Sequence, residues 1–305
     1  MSPYEIIDSR FKDLIDPVAF LEVIHQGNRW AEGPVYFGDL RCLIWSDIPN
    51  GRMFRWDEES GHVSLFRQQV PNANGNTRDR EGRLITCEQG GRRVIRTECD
   101  GSITVIADRY QGKRLNSPND VVVKSDGTIW FTDPNYGIIS DYVGSKQPQE
   151  LDRCDVYRFD PRDASLTMVA NDFSMPNGLA FSPDESTLYI ADSGFLTDSA
   201  APHHVRAFDV GEDGRLSNSR IIADIEPGIP DGLRVDVEGN LWISAGDGVQ
   251  CFTAKGDLIG KIKVPEVVAN LAFGGPKRNR LFITATTSVY AIFLNVQGTQ
   301  IRRRP

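Results

Sequence analysis

The chain reads as an all-β protein, a six-bladed β-propeller with a central-channel metal site, and three observations predict this. Six short apolar strands begin at Leu43 (LIWSD), Leu84 (LITCE), Ile129 (IWFTD), Leu188 (LYIAD), Leu241 (LWISA) and Leu281 (LFITA), with starts 41, 45, 59, 53 and 40 residues apart. A period in the forties, with short strands and Gly/Asp turns, marks one four-stranded blade per repeat. Ten or eleven residues before each start stands a carboxylate or an amide: Glu32, Asn74, Asn119, Asn177, Asp231 and Asn270. Finally, each end of the chain offers a strand, Val18 to His25 (VAFLEVIH) and Val289 to Leu294 (VYAIFL). Pairing the two would close the ring and remove an exposed sheet edge.

Taken in order, residues 1–17 are expected to form an N-terminal arm and residues 18–305 a single propeller domain. Pro3 to Leu14 is compatible with a short helix or an extended arm. Val18–His25 is the candidate closing strand. Within the repeats the grammar is constant: an inner strand such as VVVKS after Asn119, a turn at Asp126-Gly127, the strand IWFTD, then outer strands such as VYRFD near Val156. Ser182-Pro183-Asp184 and Val237-Glu238-Gly239-Asn240 supply matching turns in later repeats. Two insertions lengthen the period, one after Asp133 (PNYGIISDYVGSKQPQELDR) and one after Asp192 (SGFLTDSAAPHH). Long loops on a rigid scaffold are where ligand selection resides, so both are expected at the Glu32 end of the channel as a partial lid.

Composition excludes several classes. A formal net charge of −8 over 305 residues gives no clustered basic surface for nucleic acid; the one basic run, Arg302–Arg304, is read as a solvated tail. No apolar stretch approaches the ~20 residues of a spanning helix, and the charged N-terminus lacks a secretion signal's apolar core, so a cytoplasmic location is expected. Cys42, Cys87, Cys99, Cys154 and Cys251 are odd in number, dispersed and without a C-x-x-C pair, which fits reduced, mostly buried thiols. His203 and His204 are read as solvated loop residues.

Residues at the start of every inner strand face one channel mouth if the register holds. Taken singly, Asn74-Gly75, Asn177-Gly178 and Asp231-Gly232 are ordinary turn dipeptides. In register, six oxygen-bearing side chains, with no Lys, Arg, Cys or His among them, make a ring suited to a hard divalent cation, with Glu32 and Asp231 balancing its charge. No G-x-S-x-G elbow or phosphate loop is present. If the protein is an enzyme, metal-assisted attack by water is the natural reading.

The runs Glu32-Gly33-Pro34, Asn74-Gly75-Asn76, LNSPNDVVV from Leu115, WFTDPNYG from Trp130, Pro176-Asn177-Gly178-Leu179 and Pro230-Asp231-Gly232-Leu233 resemble the gluconolactonase and regucalcin (senescence marker protein) family over nearly the whole chain. The likeness is to its bacterial gluconolactonase branch. The resemblance implies a six-bladed propeller with one catalytic Ca²⁺, or another divalent ion such as Mg²⁺, Mn²⁺ or Zn²⁺, hydrolysing a small-molecule lactone. It implies metal ligands at Glu32, Asn177 and Asp231, with Asn119 as a fourth ligand or a substrate contact. Asp231 matches the residue assigned as proton donor or acceptor. The implied substrate rim includes Asn74, Asn119, Ser117 and Tyr136. Where many relatives read C-E-H-G this chain has Cys87-Glu88-Gln89-Gly90, which removes a titratable imidazole.

The leading expectation is therefore a metal-dependent lactonase acting on sugar lactones. An arylesterase or organophosphate hydrolase using the same channel is the enzymatic alternative. A non-catalytic ligand-binding propeller with a structural ion is the other. The oligomeric state is left open.

Overall fold

Gly and Asp turns cut the chain into antiparallel meanders, and the computed structural model, which describes residues 2–299, assembles six of them in a ring. Blade 1 comprises Ala31–Phe37, Cys42–Asp47, Arg52–Asp57 and Val63–Gln68, and blade 2 comprises Ala73–Arg78, Leu84–Glu88, Arg93–Thr97 and Ile103–Ala107. Blade 3 is built from Val121–Val123, Ile129–Asp133, Cys154–Asp160 and Ser165–Phe173; blade 4 from Pro176–Phe181, Thr187–Asp192, His204–Val210 and Leu216–Asp224. Blade 5 follows with Leu233–Val235, Leu241–Ala245, Gly248–Phe252 and Leu258–Lys263, and blade 6 with Val268–Gly274, Arg280–Ala285 and Ser288–Phe293. The inner strand of blade 1 contacts those of both blade 2 and blade 6, which closes the circle.

The fourth strand of blade 6 comes from the other end of the chain. Glu22–Gln26 pairs antiparallel with Ser288–Phe293, Glu22 opposite Ala291 and Gln26 opposite Ser288. The expected closing strand is thus present but starts at Glu22 rather than Val18. Val18 and Phe20 are 85% and 73% exposed, so apolar character there reflects no sheet pairing.

The second strand of each blade reads as a near-continuous apolar run because it is buried on both faces. Its alternate residues enter different blade interfaces. Leu43 and Trp45 pack toward blade 6, whereas Cys42 and Ile44 pack toward blade 2. Trp130 faces blade 4 while Ile129 and Phe131 face blade 2. Leu241 and Ile243 face blade 4, and Trp242 faces blade 6. Each of the six principal apolar clusters fills one of the six interfaces between neighbouring blades. The buried indoles find polar partners, as aromatic N–H groups require: Trp45 Nε1 donates to Asn28 Oδ1 at 3.2 Å, Trp130 to Thr128 Oγ1 at 2.9 Å and Trp242 to Asp236 Oδ2 at 2.9 Å.

The N-terminal segment is woven into the ring. Tyr4–Ile6 adds a fifth strand to blade 5, pairing with Leu258–Lys263. The short helix Phe11–Leu14 then lays Phe11 and Leu14 into the interface between blades 5 and 6. Phe11 is fully buried, 5.9 Å from the Trp242 ring, and lies over Gly260, where a Cβ would fall 2.2 Å from Phe11 Cδ1. Four cysteines are buried and Cys99 is exposed, all as free thiols. His203 and His204 are less solvated than expected: His203 Nδ1 bonds Ile225 O at 2.9 Å, and His204 opens a strand of blade 4. The Arg302–Arg304 tail lies outside the described residues.

Truncating Phe11 to Ala should leave a cavity between blades 5 and 6 and lower unfolding free energy by about 3–5 kcal/mol. Chemical denaturation measures this. A loss below about 0.5 kcal/mol would show that residues 1–17 are a detached arm.

Candidate functional site

The six oxygen-bearing residues sit where the inner strands begin, and irregular pairing sets their direction. Blade 1 slips register between Glu32 and Val35, blade 2 between Ala73 and Asn76, blade 4 between Pro176 and Leu179, and blade 6 between Val268 and Asn270. Such bulges re-aim side chains next to functional sites. Asn74-Gly75 and Asn177-Gly178 accordingly lie inside strands, not in turns. Here the dipeptides lock blades together. Gly75 N donates to Asn119 O at 2.8 Å, Gly178 N to Asp231 O at 3.0 Å and Gly232 N to Ala269 O at 2.7 Å. A Cβ at Gly178 would lie 2.3 Å from Asp231 O, so the blades approach this closely only around glycine. Ser46 Oγ donates to Asn74 O and Thr132 Oγ1 to Asn177 O, each at 2.8 Å, bridging two further blade pairs.

A second tier of carboxylates holds three of the ring residues. Asp47, Asp133 and Asp192 end the second strands of blades 1, 3 and 4. Asp47 Oδ1 accepts Arg29 N at 2.9 Å and Trp30 N at 3.3 Å. Asp133 accepts Asn116 N and Ser117 N, both at 2.8 Å. Asp192 accepts Ser174 N and Met175 N, both at 2.9 Å. In every case the bonded amides lie three and two residues before the ring residue, respectively Glu32, Asn119 and Asn177. In blade 5 Ala245 stands at the strand end, and Asp231 is held instead by its own N–H, which donates to Ser244 Oγ at 2.8 Å. Burial pushes the Asp133 carboxyl up to about 8 against the pull of its two amide donors.

The ring itself is electrostatically strained. Glu32, Asn74, Asn119, Asn177 and Asn270 are buried, while Asp231 is partly open to the channel. Burial, with the Asp120 charge adding to it, raises Glu32 to about 7, although Glu32 Oε2 accepts Gly33 N at 2.6 Å and Asn270 Nδ2 at 3.1 Å. Burial, followed by the charges of Glu32 and Asp120, holds Asp231 well above the usual carboxylate range, and Asn177 works the other way. Arg234, with Nη1 at 3.4 Å from Asp120 Oδ2, offsets part of this negative charge. Among the described residues no three His, Cys, Asp or Glu side chains gather as a metal cluster. Glu32 and Asp231 lie within reach of each other's charge, with the Asn177 side chain against Asp231. Crowded anionic oxygen without imidazole or thiolate fits a hard cation, whose charge would relieve the mutual repulsion.

The insertion after Asp133 lies over this end of the channel. Tyr136 is buried near Asp231, and its hydroxyl approaches Ser193 and Asn177 without completing a well-formed hydrogen bond. Farther along, Tyr142 Oη donates to Arg29 O at 3.3 Å, carrying the insertion across to blade 1. The insertion after Asp192 begins at Ser193, which accepts Asn177 Nδ2 at 3.1 Å and donates to Pro230 O. Ser117 uses its hydroxyl to fasten the first insertion, donating to Pro134 O at 2.6 Å and accepting Gly137 N at 2.9 Å. Asn74 Oδ1 is buried without a donor. A cavity of about 420 Å³ between the outer parts of blades 4 and 5, lined by Ile222, Phe252 and Leu258, contains no such unpartnered side-chain atom.

Sequence reasoning brought the six ring residues together but passed over Asp120, Arg234 and the second tier. The endings of LIWSD, IWFTD and LYIAD carried the signal for that tier, because an apolar strand that repeatedly stops on Asp implies a recurrent backbone acceptor.

Comparison with known proteins follows the same geometry. The family described as SMP-30/Gluconolactonase/LRE-like region matches residues 30–287. The chain is 30% identical over 307 positions to a gluconolactonase of Zymomonas mobilis subsp. mobilis, covering 93% of this chain and 83% of that protein. It is 31% identical over 274 positions to the pentonolactonase XacC of Haloferax volcanii, covering 86% and 83%. Among solved structures, a gluconolactonase of Xanthomonas campestris superposes with a TM-score of 0.89 at 37% identity, covering 96% of this chain and 94% of that one.

Replacing Asp192 with Ala should strand the N–H groups of Ser174 and Met175, at about 1–3 kcal/mol for each buried unpaired group. The loss is expected in equilibrium denaturation. Asp152→Ala, at an exposed position, should change stability by less than about 0.5 kcal/mol.

Proposed function

The chain belongs to the SMP-30/gluconolactonase/LRE-like family and is a lactonase acting on small-molecule lactones, and from this we propose that it opens sugar lactones by divalent-cation-assisted attack of water within the ring of Glu32, Asn119, Asn177 and Asp231. The observation that carries the reading is the ring itself: buried, oxygen-only, anionic and held by inter-blade bonds. Glu32, Asn177 and Asp231 would hold the ion, with Asn119 beside them, and Ca²⁺ suits the donor set best, with Mg²⁺, Mn²⁺ and Zn²⁺ as the other divalent choices. When bound, the cation would polarise the lactone carbonyl and stabilise negative charge on its oxygen.

The protein's own groups would supply the remainder. Asp231, partly open to the channel, would take a proton from the attacking water and return it to the ring oxygen that leaves. The Tyr136 hydroxyl, buried beside it without a fixed partner, is free to bond the lactone. Asn74 and Asn119 line the same rim, and Ser117 fixes the loop that carries Tyr136. The insertion after Asp133 would cover the bound lactone and limit water. Five free cysteines suit a reducing compartment, and we place the protein in the cytoplasm.

Removal of divalent ions with a chelator should abolish lactone hydrolysis, and adding Ca²⁺ back should restore it and raise the melting temperature by mass action. Activity that survives exhaustive chelation, with metal analysis confirming removal, would exclude the cation from the reaction.

Asp231→Ala should abolish turnover whether the residue binds the ion or moves the proton. Asp231→Asn keeps an oxygen donor and removes most of the basicity. Bound metal with turnover reduced at least ~100-fold, the range of general-base contributions, assigns proton transfer to Asp231; loss of metal assigns it to coordination.

A further inference from the structure

Near the channel mouth the buried side-chain acceptors without a donor include Asn74 Oδ1, Gln89 Oε1 and Asn116 Oδ1, in residues 3%, 1% and 0% exposed; Asn116 spends its Nδ2 on Asp133 O and Arg153 O within its own blade. A buried amide oxygen left unpaired costs about 1–3 kcal/mol, and folded proteins retain few of them. Asn74 belongs to the ring. Gln89 has no part in the chemistry derived above, and nothing in its own blade satisfies it.

Two contacts and one positional equivalence place Gln89. It directly follows the strand Leu84–Glu88, and its N–H donates to Asn72 O at 3.0 Å, two residues before Asn74. Its Cβ packs against the first insertion: a Cβ built on Gly137 would lie 2.8 Å from the Cβ of Gln89 and 2.8 Å from that of Ser117. Gly137 adjoins Tyr136, whose hydroxyl also lacks a partner. Third, the corresponding position in blade 4, directly after the strand Thr187–Asp192, is Ser193, which bonds the ring residue Asn177. That position therefore overlooks the ring, and in blade 2 it carries an unpaired acceptor.

An amide oxygen is met by a donor. A lactone supplies none through its carbonyl or ring oxygen, whereas a hydroxyl substituent on the ring or its side arm is such a donor. We propose that Gln89, together with Asn74, accepts hydrogen bonds from the hydroxyl groups of the lactone and makes the enzyme selective for polyhydroxylated lactones over lactones with bare rings. The inference rests on the lactonase reading and adds to it a residue that sets specificity. A bare ring would bury both acceptors unpaired, and sites built to bond a substrate hydroxyl reject analogues that lack it.

The test compares glucono-1,5-lactone with δ-valerolactone, the same six-membered ring without hydroxyls, using the metal-loaded full chain. Wild-type protein should favour the hydroxylated lactone in kcat/KM. In Gln89→Leu the ratio of the two kcat/KM values should fall at least tenfold. Gln89→Glu, which keeps acceptor oxygens at the same reach, should retain most of the ratio. Gln89→Met takes the place of the Leu variant if that protein fails to melt cooperatively. A folded Leu or Met variant with an unchanged ratio overturns the role of Gln89 and leaves the lactonase reading intact. Wild-type protein that hydrolyses neither lactone above the solvent rate overturns both.

Discussion

The channel chemistry depends on one constraint: the residues that carry its oxygens also fasten the blades to one another. Gly75, Gly178 and Gly232, each directly after a ring residue, donate backbone N–H groups to the neighbouring blade, and Ser46 and Thr132 reach across to the carbonyls of Asn74 and Asn177. Blade spacing and side-chain convergence are therefore set by the same few bonds. A shift of one residue in any inner strand would turn its oxygen away from the channel and break the inter-blade bond together. Such coupling lets six separate sheets present a site with the precision of a single element.

This precision is obtained against the electrostatics. Glu32, Asp231 and the fully buried Asp120 repel one another in a poorly solvated space, and Arg234 beside Asp120 offsets part of that charge. Grouped carboxylates of this kind weaken a fold unless a partner charge arrives, and active sites commonly carry such a cost. The apolar interfaces between blades, with Trp45, Trp130 and Trp242 fully buried, supply the stability that tolerates it. The N-terminal segment contributes as well, because Phe11 packs into the interface between blades 5 and 6 together with Leu294 and Val296.

Much of this was legible in the residues. The strands start 40 to 59 residues apart, but the polar residue stands ten or eleven residues before each of them, and geometry turns that constant offset into a ring. The closing strand was legible in kind but misplaced by four residues, because exposed Val18 and Phe20 extend its apolar run without extending its pairing. The association of Tyr4–Ile6 with blade 5 was not legible: three residues carry no periodicity, and the pairing is with Leu258–Lys263, distant in sequence. Asp120 was hidden by standing next to Asn119, since only one of two adjacent polar residues can occupy the expected ring position.

The second tier explains why the blades are not equivalent. Asp47, Asp133 and Asp192 each bind the two amides upstream of Glu32, Asn119 and Asn177, and these are three of the four residues proposed to surround the ion. Blade 6, where the strand ends at Ala285, has no carboxylate there, and its ring residue Asn270 serves Glu32 as a donor. Blade 2 ends on Glu88, which turns to Arg93 instead. The sixfold repeat thus provides six similar positions; carboxylates that accept backbone N–H groups brace those of blades 1, 3 and 4, where the cation is proposed to be held, while blade 2, between blades 1 and 3, is where Asn74 and Gln89 keep unpaired oxygens for whatever the cation's ligand presents. A propeller with a uniform ring would bind an ion equally well from every blade and would leave no face from which to recognise a substrate.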